Sequence, residues 1–228
     1  MDLLLIWKYF ALAFTALLPL VNPLGSAILF VGLVGPVPIS LYRSLARQIA
    51  FNIIVFFVVI ELIGTAILNF FGISLPIVQI SGGLVIAAMG WSLLNQQDEQ
   101  PNAEKLQAET VAEDVSKSLI EKSFYPFTFP LTVGPGCLVV TLTLSAQATQ
   151  PTITNTLLAH AGIMIAAFAM SILVYICYAN APRITQAIAP TTAHGILRVI
   201  AFILLCIGVQ ITWNGLRALL TPFLQHHI

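Results

Sequence analysis

Six apolar runs, each long enough to cross a lipid bilayer, constrain this chain more than any other feature. They cover residues 8–34, 46–70, 75–95, 124–147, 155–180 and 196–219. A helix that crosses about 30 Å of hydrocarbon needs about 20 apolar residues. Only 8% of the residues are charged and 58% are apolar, so the chain cannot cover a water-facing surface. The sequence therefore predicts an all-α membrane protein with six transmembrane helices.

The distribution of Lys and Arg predicts the orientation, because cytoplasmic loops carry an excess of both residues. If the N-terminus lies outside, only Lys8 and Arg217 fall on the outer side. The other basic residues then lie at or near the cytoplasmic face: Arg43, Arg47, Lys105, Lys117, Lys122, Arg183 and Arg198. We therefore expect both termini in the periplasm. The formal net charge is zero, which gives no reason to expect a nucleic-acid partner.

Residues 96–122 form an acidic stretch that holds seven carboxylates and three lysines. Leu106, Val111, Val115 and Leu119 recur in it at helical spacing, which predicts a short solvated or interfacial helix. The stretch divides the chain into a first three-helix repeat at 1–95, a cytoplasmic linker at 96–122 and a second three-helix repeat at 123–228. Because each half has an odd number of spans, such a repeat must be inverted in the membrane.

Two matched interruptions support the repeat. The first span contains "PLVNPLG" from Pro19, and the fourth contains "PLTVGPG" from Pro130. Proline removes a helical hydrogen bond, and glycine lets the chain leave helical geometry. Backbone groups freed in this way must face protein or a wet cavity, since lipid offers them no partner. We therefore expect the first and fourth helices to be broken.

Broken helices in corresponding spans are typical of solute sites in transporters, because half-helix ends direct partial charge at the bound molecule. This interpretation assigns substrate binding to Asn22, Pro23, Gly25, Thr132, Gly134, Pro135 and Gly136. Thr128, Thr132, Thr141 and Ser145 are candidates for satisfying freed carbonyls or lining a path. The alternative is that the prolines only kink the helices for packing.

The third spans of the two halves also align, with "QISGGLVIAAMGWSLLN" from Gln79 matching "RVIAFILLCIGVQITWN" from Arg198. We expect Gln79, Arg198 and Asn214 to be polar groups at helix termini. Gly82, Gly83, Ala87 and Gly90 form a face of small residues, which indicates close helix packing.

Glu61 is the single acidic residue within the six apolar runs. A carboxyl group at membrane depth costs about 2.5–3.5 kcal/mol on insertion scales. Burial without a cationic partner favours its protonated form, which suits a proton-coupling group. Alternatively, Glu61 reaches the outer interface or accepts a hydrogen bond from a neighbouring span.

The sequence offers no catalytic set, so we do not expect an enzyme. No phosphate loop or zinc-protease motif occurs, and Ser, His and Asp are not arranged for nucleophilic catalysis. His160 and His194 each lack a second ligand at metal spacing, and His226 and His227 lie in the tail. We therefore assign neither a metal nor a cofactor.

Four segments together resemble one known group, the MarC family of bacterial inner-membrane proteins. "LLPLVNPLGSAILFVGL" resembles its first helix, "FGISLPIVQISGGLVIAAMGWSLL" its third, "YPFTFPLTVGPGCLVVTLTLS" its fourth and "RVIAFILLCIGVQITWNGL" its last. The resemblance implies six helices in the cytoplasmic membrane, both ends in the periplasm and a distant relation to LysE-type exporters. Members commonly carry Arg where this chain has Gln79, whereas the other half keeps Arg198.

Two functions are compatible with these features. The first is a secondary transporter, an exporter of small solutes such as neutral amino acids, driven by a gradient because no ATP motif is present. The second is a non-transporting membrane scaffold or accessory subunit whose acidic linker docks a partner. The partners that the sequence allows are the lipid bilayer, a small-molecule solute and a second copy of the chain.

Overall fold

The computed structural model describes residues 2–95, 112–187 and 190–225, and within these ranges the chain is helical with short connections and no strands. The first half holds α1 (Asp2–Val21), α2 (Pro23–Val34), α3 (Ile39–Phe70) and α4 (Leu75–Asn95). Then follow α5 (Ala112–Glu121), an irregular helical segment (Ser123–Thr132), α6 (Pro135–Gln147), α7 (Ile153–Ala179), α8 (Ala181–Ala187) and α9 (Pro190–Gln225).

Five helical stretches in the described ranges are long and apolar enough to cross a membrane: Leu3–Val34, Ile39–Phe70, Leu75–Asn95, Ile153–Ala179 and Leu197–Thr221. A sixth span results if the irregular segment and α6, which meet at an angle of 69°, count as one. The prediction of an all-helical protein is confirmed for the described residues, with five spans, or six if this bent pair is one span. Several helices extend beyond the apolar runs, because helical hydrogen bonding continues past the hydrocarbon.

The connections on the two sides of α3 are short and use glycine where the backbone requires it. Gly35 and Gly72 have φ values of 74° and 66°, a region that residues with a Cβ rarely adopt. Gly72 lies in the tight turn between the second and third spans. Tyr42 donates a hydrogen bond of 2.8 Å to the carbonyl of Gly35, which holds the other connection against α3.

The third spans of the two halves, α4 and α9, pack directly on each other over most of the length of α4. A Cβ atom on Gly83 would lie 2.7 Å from the carbonyl oxygen of Gly208, and one on Gly90 would lie 2.6 Å from the backbone nitrogen of Leu205. As the numbers rise along α4 they fall along α9, so the two helices are antiparallel. The predicted use of the small-residue face for close packing is confirmed.

The core lies around α7, which packs against α1 and against α3 along much of its length. At one end it contains an aromatic cluster formed by Phe30, Tyr42, Phe127 and Tyr178. Phe30 stacks on Tyr178 with ring centroids 4.5 Å apart and meets the other two rings edge to face. Many large apolar side chains point outward instead, as expected for helices that face lipid.

The acidic stretch is only partly described. Residues 96–111 lie outside the described residues, and α5 occupies Ala112–Glu121, which agrees with the predicted short helix there. His226 and His227 also lie outside the described residues, as does the His194 side chain. The division into two three-span repeats stays a prediction.

Candidate functional site

The break in the first span is centred on Asn22, which adopts left-handed geometry with φ 44° and ψ 63°. Asn tolerates this region better than most residues with a side chain. Its Oδ1 accepts a hydrogen bond of 3.1 Å from the N–H of Gly25, and Pro23 occupies the first helical position, where no N–H is needed. Glycine at residue 25 makes room for this cap, since a Cβ there would clash with the Asn22 side chain.

The break in the fourth span is larger. The irregular segment contains Pro126 and Pro130, and the residue before each, Tyr125 and Phe129, has extended rather than helical geometry. This is the geometry that a following proline imposes. Gly134 then leads into α6, which turns away by 69°.

Hydroxyl groups satisfy carbonyls at both breaks in the same way. Ser26 donates to the carbonyl of Val21 at 2.8 Å, and Thr132 donates to the carbonyl of Phe127 at 2.6 Å. In each case the acceptor lies five residues earlier, whereas an intact helix offers a hydroxyl the carbonyl four residues earlier. Thr128 makes a further bond of this five-residue type in the irregular segment. These bonds replace the backbone partners that the breaks remove.

Tyr178 connects the two breaks, and the sequence analysis did not identify it. Its hydroxyl oxygen lies 2.7 Å from the Thr132 Oγ1 and also faces Ser26. The ring is fully buried and stacks on Phe30. The sequence signal for Tyr178 is a tyrosine near the end of an apolar run. A buried phenolic hydroxyl usually needs a polar partner, so such a tyrosine indicates a polar contact inside the protein.

A cavity of about 50 Å³ lies at the second break. Its lining comes from α1, α4, the fourth span and α9, and consists of Leu20, Ile86, Met89, Pro130, Leu131, Gly134, Gly136, Cys137 and Leu204. The cavity thus includes two of the predicted site residues, Gly134 and Gly136. Asn22, Pro23 and Gly25 do not line it, although Leu20, two residues before Asn22, does. Thr132 faces Tyr178 instead, and Pro135 is exposed.

Most residues that line the cavity are apolar, and the backbone at the start of α6 is the main polar group beside it. Gly134 is the N-cap residue of this helix and, among the described residues, no side chain caps it. The helix dipole makes this end positive, although Pro135 has no N–H and the N–H of Cys137 bonds to the carbonyl of Gly134 at 3.0 Å. The cavity is therefore a mainly apolar space beside the positive end of a helix.

Glu61 and His160 form a second polar cluster, between α3 and α7. Oε1 of Glu61 lies 2.5 Å from Nδ1 of His160, and the side chains are 5% and 30% exposed, respectively. α7 places His160 opposite this carboxyl group, so Glu61 has a hydrogen-bond partner on a neighbouring span, the alternative that the sequence analysis gave for it. No sequence spacing indicates this pair, since the two residues are 99 positions apart.

The polar residues expected at helix termini have different surroundings. Gln79 is buried near the start of α4, and its amide nitrogen lies 3.5 Å from the Thr143 hydroxyl of α6. Arg198 and Asn214 are not at the ends of α9, because that helix extends from Pro190 to Gln225. Asn214 accepts a hydrogen bond from Gln210 of the same helix. In the described part of the chain, no group of three metal-ligating side chains could hold a metal ion.

The fold and the buried breaks define a polytopic α-helical membrane protein. The chain belongs to the MarC family of integral membrane proteins, whose family model matches residues 7–220. It is 27% identical to the inner membrane protein MarC of Salmonella typhimurium over 231 residues, which cover 96% of this chain and 98% of that relative.

A second relative, the inner membrane protein MarC of Escherichia coli O1:K1 / APEC, is 27% identical over 225 residues, again with 96% and 98% of the two chains covered. No solved structure matches the chain significantly. The protein is therefore a multi-pass integral protein of the inner membrane, as the sequence resemblance predicted.

Proposed function

We propose that the protein is a secondary transporter that exports small neutral or zwitterionic solutes such as amino acids. The observation that carries this proposal is the cavity at the uncapped N-terminus of α6, inside a bent membrane span. Helices from both halves of the chain contribute to its wall, which is the usual location of a solute site in transporters built from repeats.

The chemistry of the cavity supports a zwitterionic solute. A carboxylate is stabilised at the start of a helix by free N–H groups and by the helix dipole. Leu20, Ile86 and Leu204 surround the remaining space and suit a small apolar side chain. The described lining contains no charged side chain that would select a strongly charged solute.

Three features support an inverted repeat, which would let the two halves alternate the access of this site. The third spans are antiparallel, both breaks use a hydroxyl bonded five residues back, and Tyr178 joins the two breaks. The distribution of Lys and Arg supports the periplasmic location of both termini.

The test is uptake and efflux by the purified protein in proteoliposomes over a panel of labelled amino acids. In Gly134→Leu the new side chain enters the cavity. A Cβ at this position would lie 3.6 Å from the carbonyl oxygen of Pro130 and 4.0 Å from the Met89 side chain, which are ordinary contact distances. We expect transport to fall by at least tenfold. Gly32→Leu makes the same chemical change on α2 where nothing lies within 4 Å, and it should transport normally.

Normal transport by a well-folded Gly134→Leu variant would contradict the site assignment. If the wild-type protein moves none of the panel and instead purifies with one stable partner, the scaffold or accessory-subunit alternative replaces the proposed function.

A further inference from the structure

The Glu61–His160 pair occupies a position where an ionisable group has few neighbours. Glu61 is in α3 and His160 is in α7, both of which are long enough to span the membrane. Oε2 of Glu61 is buried and has no hydrogen-bond partner among the described residues. The Ser145 side chain of α6 faces the carboxyl group but does not bond to Oε2.

No other ionisable side chain of the described chain acts on Glu61. Of the elements packed against α3, α7 contributes His160 and α6 contributes the neutral Ser145, whereas α5 contributes no group that acts on Glu61. The irregular segment contacts α3 through a hydrogen bond between Asn52 and Thr128, nine residues or about 13 Å along α3 from Glu61. The protonation of the carboxyl group therefore depends on its burial and on the imidazole.

The pair is electrically neutral when it holds one proton, whichever atom carries it. A second proton makes the pair cationic, and loss of the shared proton makes it anionic. Net charge is costly in a dry membrane interior but not next to water. The number of bound protons is therefore linked to whether the contact between α3 and α7 is closed or open to water.

We propose that the Glu61–His160 pair is the proton-binding site through which the transporter uses a proton gradient. This inference rests on the proposed function. When the contact opens on one side, a proton from water adds to the pair and forms one N–H or O–H bond. When it opens on the other side, the same bond breaks and the proton returns to water. An O–H bond of a hydronium ion breaks in the first step and forms again in the second, so water and its protons are the only reactants.

The fold gives this site a direct connection to the cavity. α3 belongs to the first half of the chain and α7 to the second. Movement of one half against the other, which alternating access requires, would therefore change the contact between Glu61 and His160. Ser145 is ten residues from Pro135 on α6, which corresponds to about 15 Å of continuous helix between the pair and the cavity. Gly64 lets α3 approach α6 closely there, since a Cβ would lie less than 2.5 Å from the Leu142 side chain.

The experiment uses the full chain in proteoliposomes that contain a trapped pH-sensitive dye, with a transported amino acid as the driving solute. The wild-type protein and Glu121→Gln, which makes the same change on the exposed end of α5, should both move protons with the solute. In Glu61→Gln the proton flux should fall at least tenfold, and in His160→Gln it should also be lower than in the wild-type protein. Solute counterflow, which is driven by preloaded unlabelled solute and needs no proton gradient, should continue in Glu61→Gln.

Undiminished proton flux in a folded Glu61→Gln variant would overturn the inference, and so would solute transport without proton flux in the wild-type protein. Absence of counterflow in the wild-type protein would instead defeat the proposed function. Proton binding is measured separately by infrared titration in detergent. We expect a carbonyl band of a protonated carboxyl group that titrates, is absent in Glu61→Gln and is displaced in His160→Gln.

If no such band titrates in the wild-type protein, the pair is not a proton site, whatever the transport assays give. If Glu61→Gln does not fold, His160→Gln provides the same two measurements. Its proton flux and the pH at which its band titrates must then both differ from those of the wild-type protein for the inference to stand.

Discussion

The breaks in the first and fourth spans look alike in sequence but differ in how the chain resolves them. At Asn22 the helix continues almost without loss, because the N–H of Asn22 bonds to Leu18 and that of Ser26 bonds to Asn22, both at 2.9 Å. The stretch Leu3–Val34 remains one span. At Gly134 the span bends by 69° and a cavity opens beside the start of α6.

The difference comes from the residue that precedes each proline. Asn22 supplies its own cap through its side-chain oxygen, so its motif closes on itself. Gly134 has no side chain, and the helix that follows it begins without a cap in the described structure. Of the two proline–glycine motifs, the one whose new helix start has no side-chain cap is the one that borders the cavity.

The largest expected effect tests whether the second break is tightly packed at Gly136 but less tightly packed at Gly134. A Cβ on Gly136 would lie 2.8 Å from Ile86 and 2.9 Å from Leu20, so Gly136→Leu must displace both side chains. We expect it to destabilise the protein by about 3 kcal/mol, the upper end for overpacking a core. The measurement is thermal or denaturant unfolding in detergent micelles.

Gly134→Leu is the matched control, since it adds the same atoms two residues away, where a Cβ would lie 3.6 Å from the Pro130 carbonyl oxygen and 4.0 Å from the Met89 side chain. Because these are ordinary contact distances, we expect a loss of no more than about 1 kcal/mol. Equal destabilisation by the two variants would show that the second break is as tightly closed as the first, and the contrast between them would be wrong.

Much of the fold follows from the sequence because membrane burial leaves few alternatives. A span of about 20 apolar residues must be helical, as lipid cannot satisfy the backbone in any open form. The spacing of Gly83 and Gly90 on α4 likewise predicted a close helix contact, and α9 provides it. The size of each bend was not predictable, because it depends on whether a neighbouring side chain or carbonyl replaces the missing hydrogen bond.

The site was only partly predictable for a related reason. Gly134 and Gly136 were selected by local chemistry and do border the cavity. Tyr178 and His160 matter through contacts with residues that are 46 and 99 positions away, respectively. Periodicity and motifs describe neighbours along the chain, and they carry no information about which helix faces which.

A smaller effect is expected at the first break, where strain and capping act on one residue. Asn22→Ala removes the cap, which costs about 1 kcal/mol, and puts a residue that tolerates left-handed geometry less well than Asn in its place, at up to about 1 kcal/mol more. We therefore expect a total near 2 kcal/mol by unfolding. Asn22→Gly keeps the backbone geometry and should cost only a few tenths. If both variants lose the same stability, the side chain acts through another contact.

The smallest effect concerns the hydroxyl that joins the breaks. Tyr178→Phe keeps the stacking on Phe30 but leaves Thr132 bonded only to the carbonyl of Phe127. We expect a loss of about 1 kcal/mol, the usual net contribution of one hydrogen bond, again measured by unfolding in detergent.

A double-mutant cycle then shows which break Tyr178 serves, because coupling energies between residues in contact exceed those between independent sites. Thr132→Val combined with Tyr178→Phe should give a coupling of at least about 0.5 kcal/mol, since the two oxygens are 2.7 Å apart. Ser26→Ala should couple more weakly, because Ser26 donates its own hydrogen bond to Val21 within the first break. Equal coupling to both hydroxyls would mean that Tyr178 binds the two halves symmetrically, and that the first break is less self-contained than its local hydrogen bonds indicate.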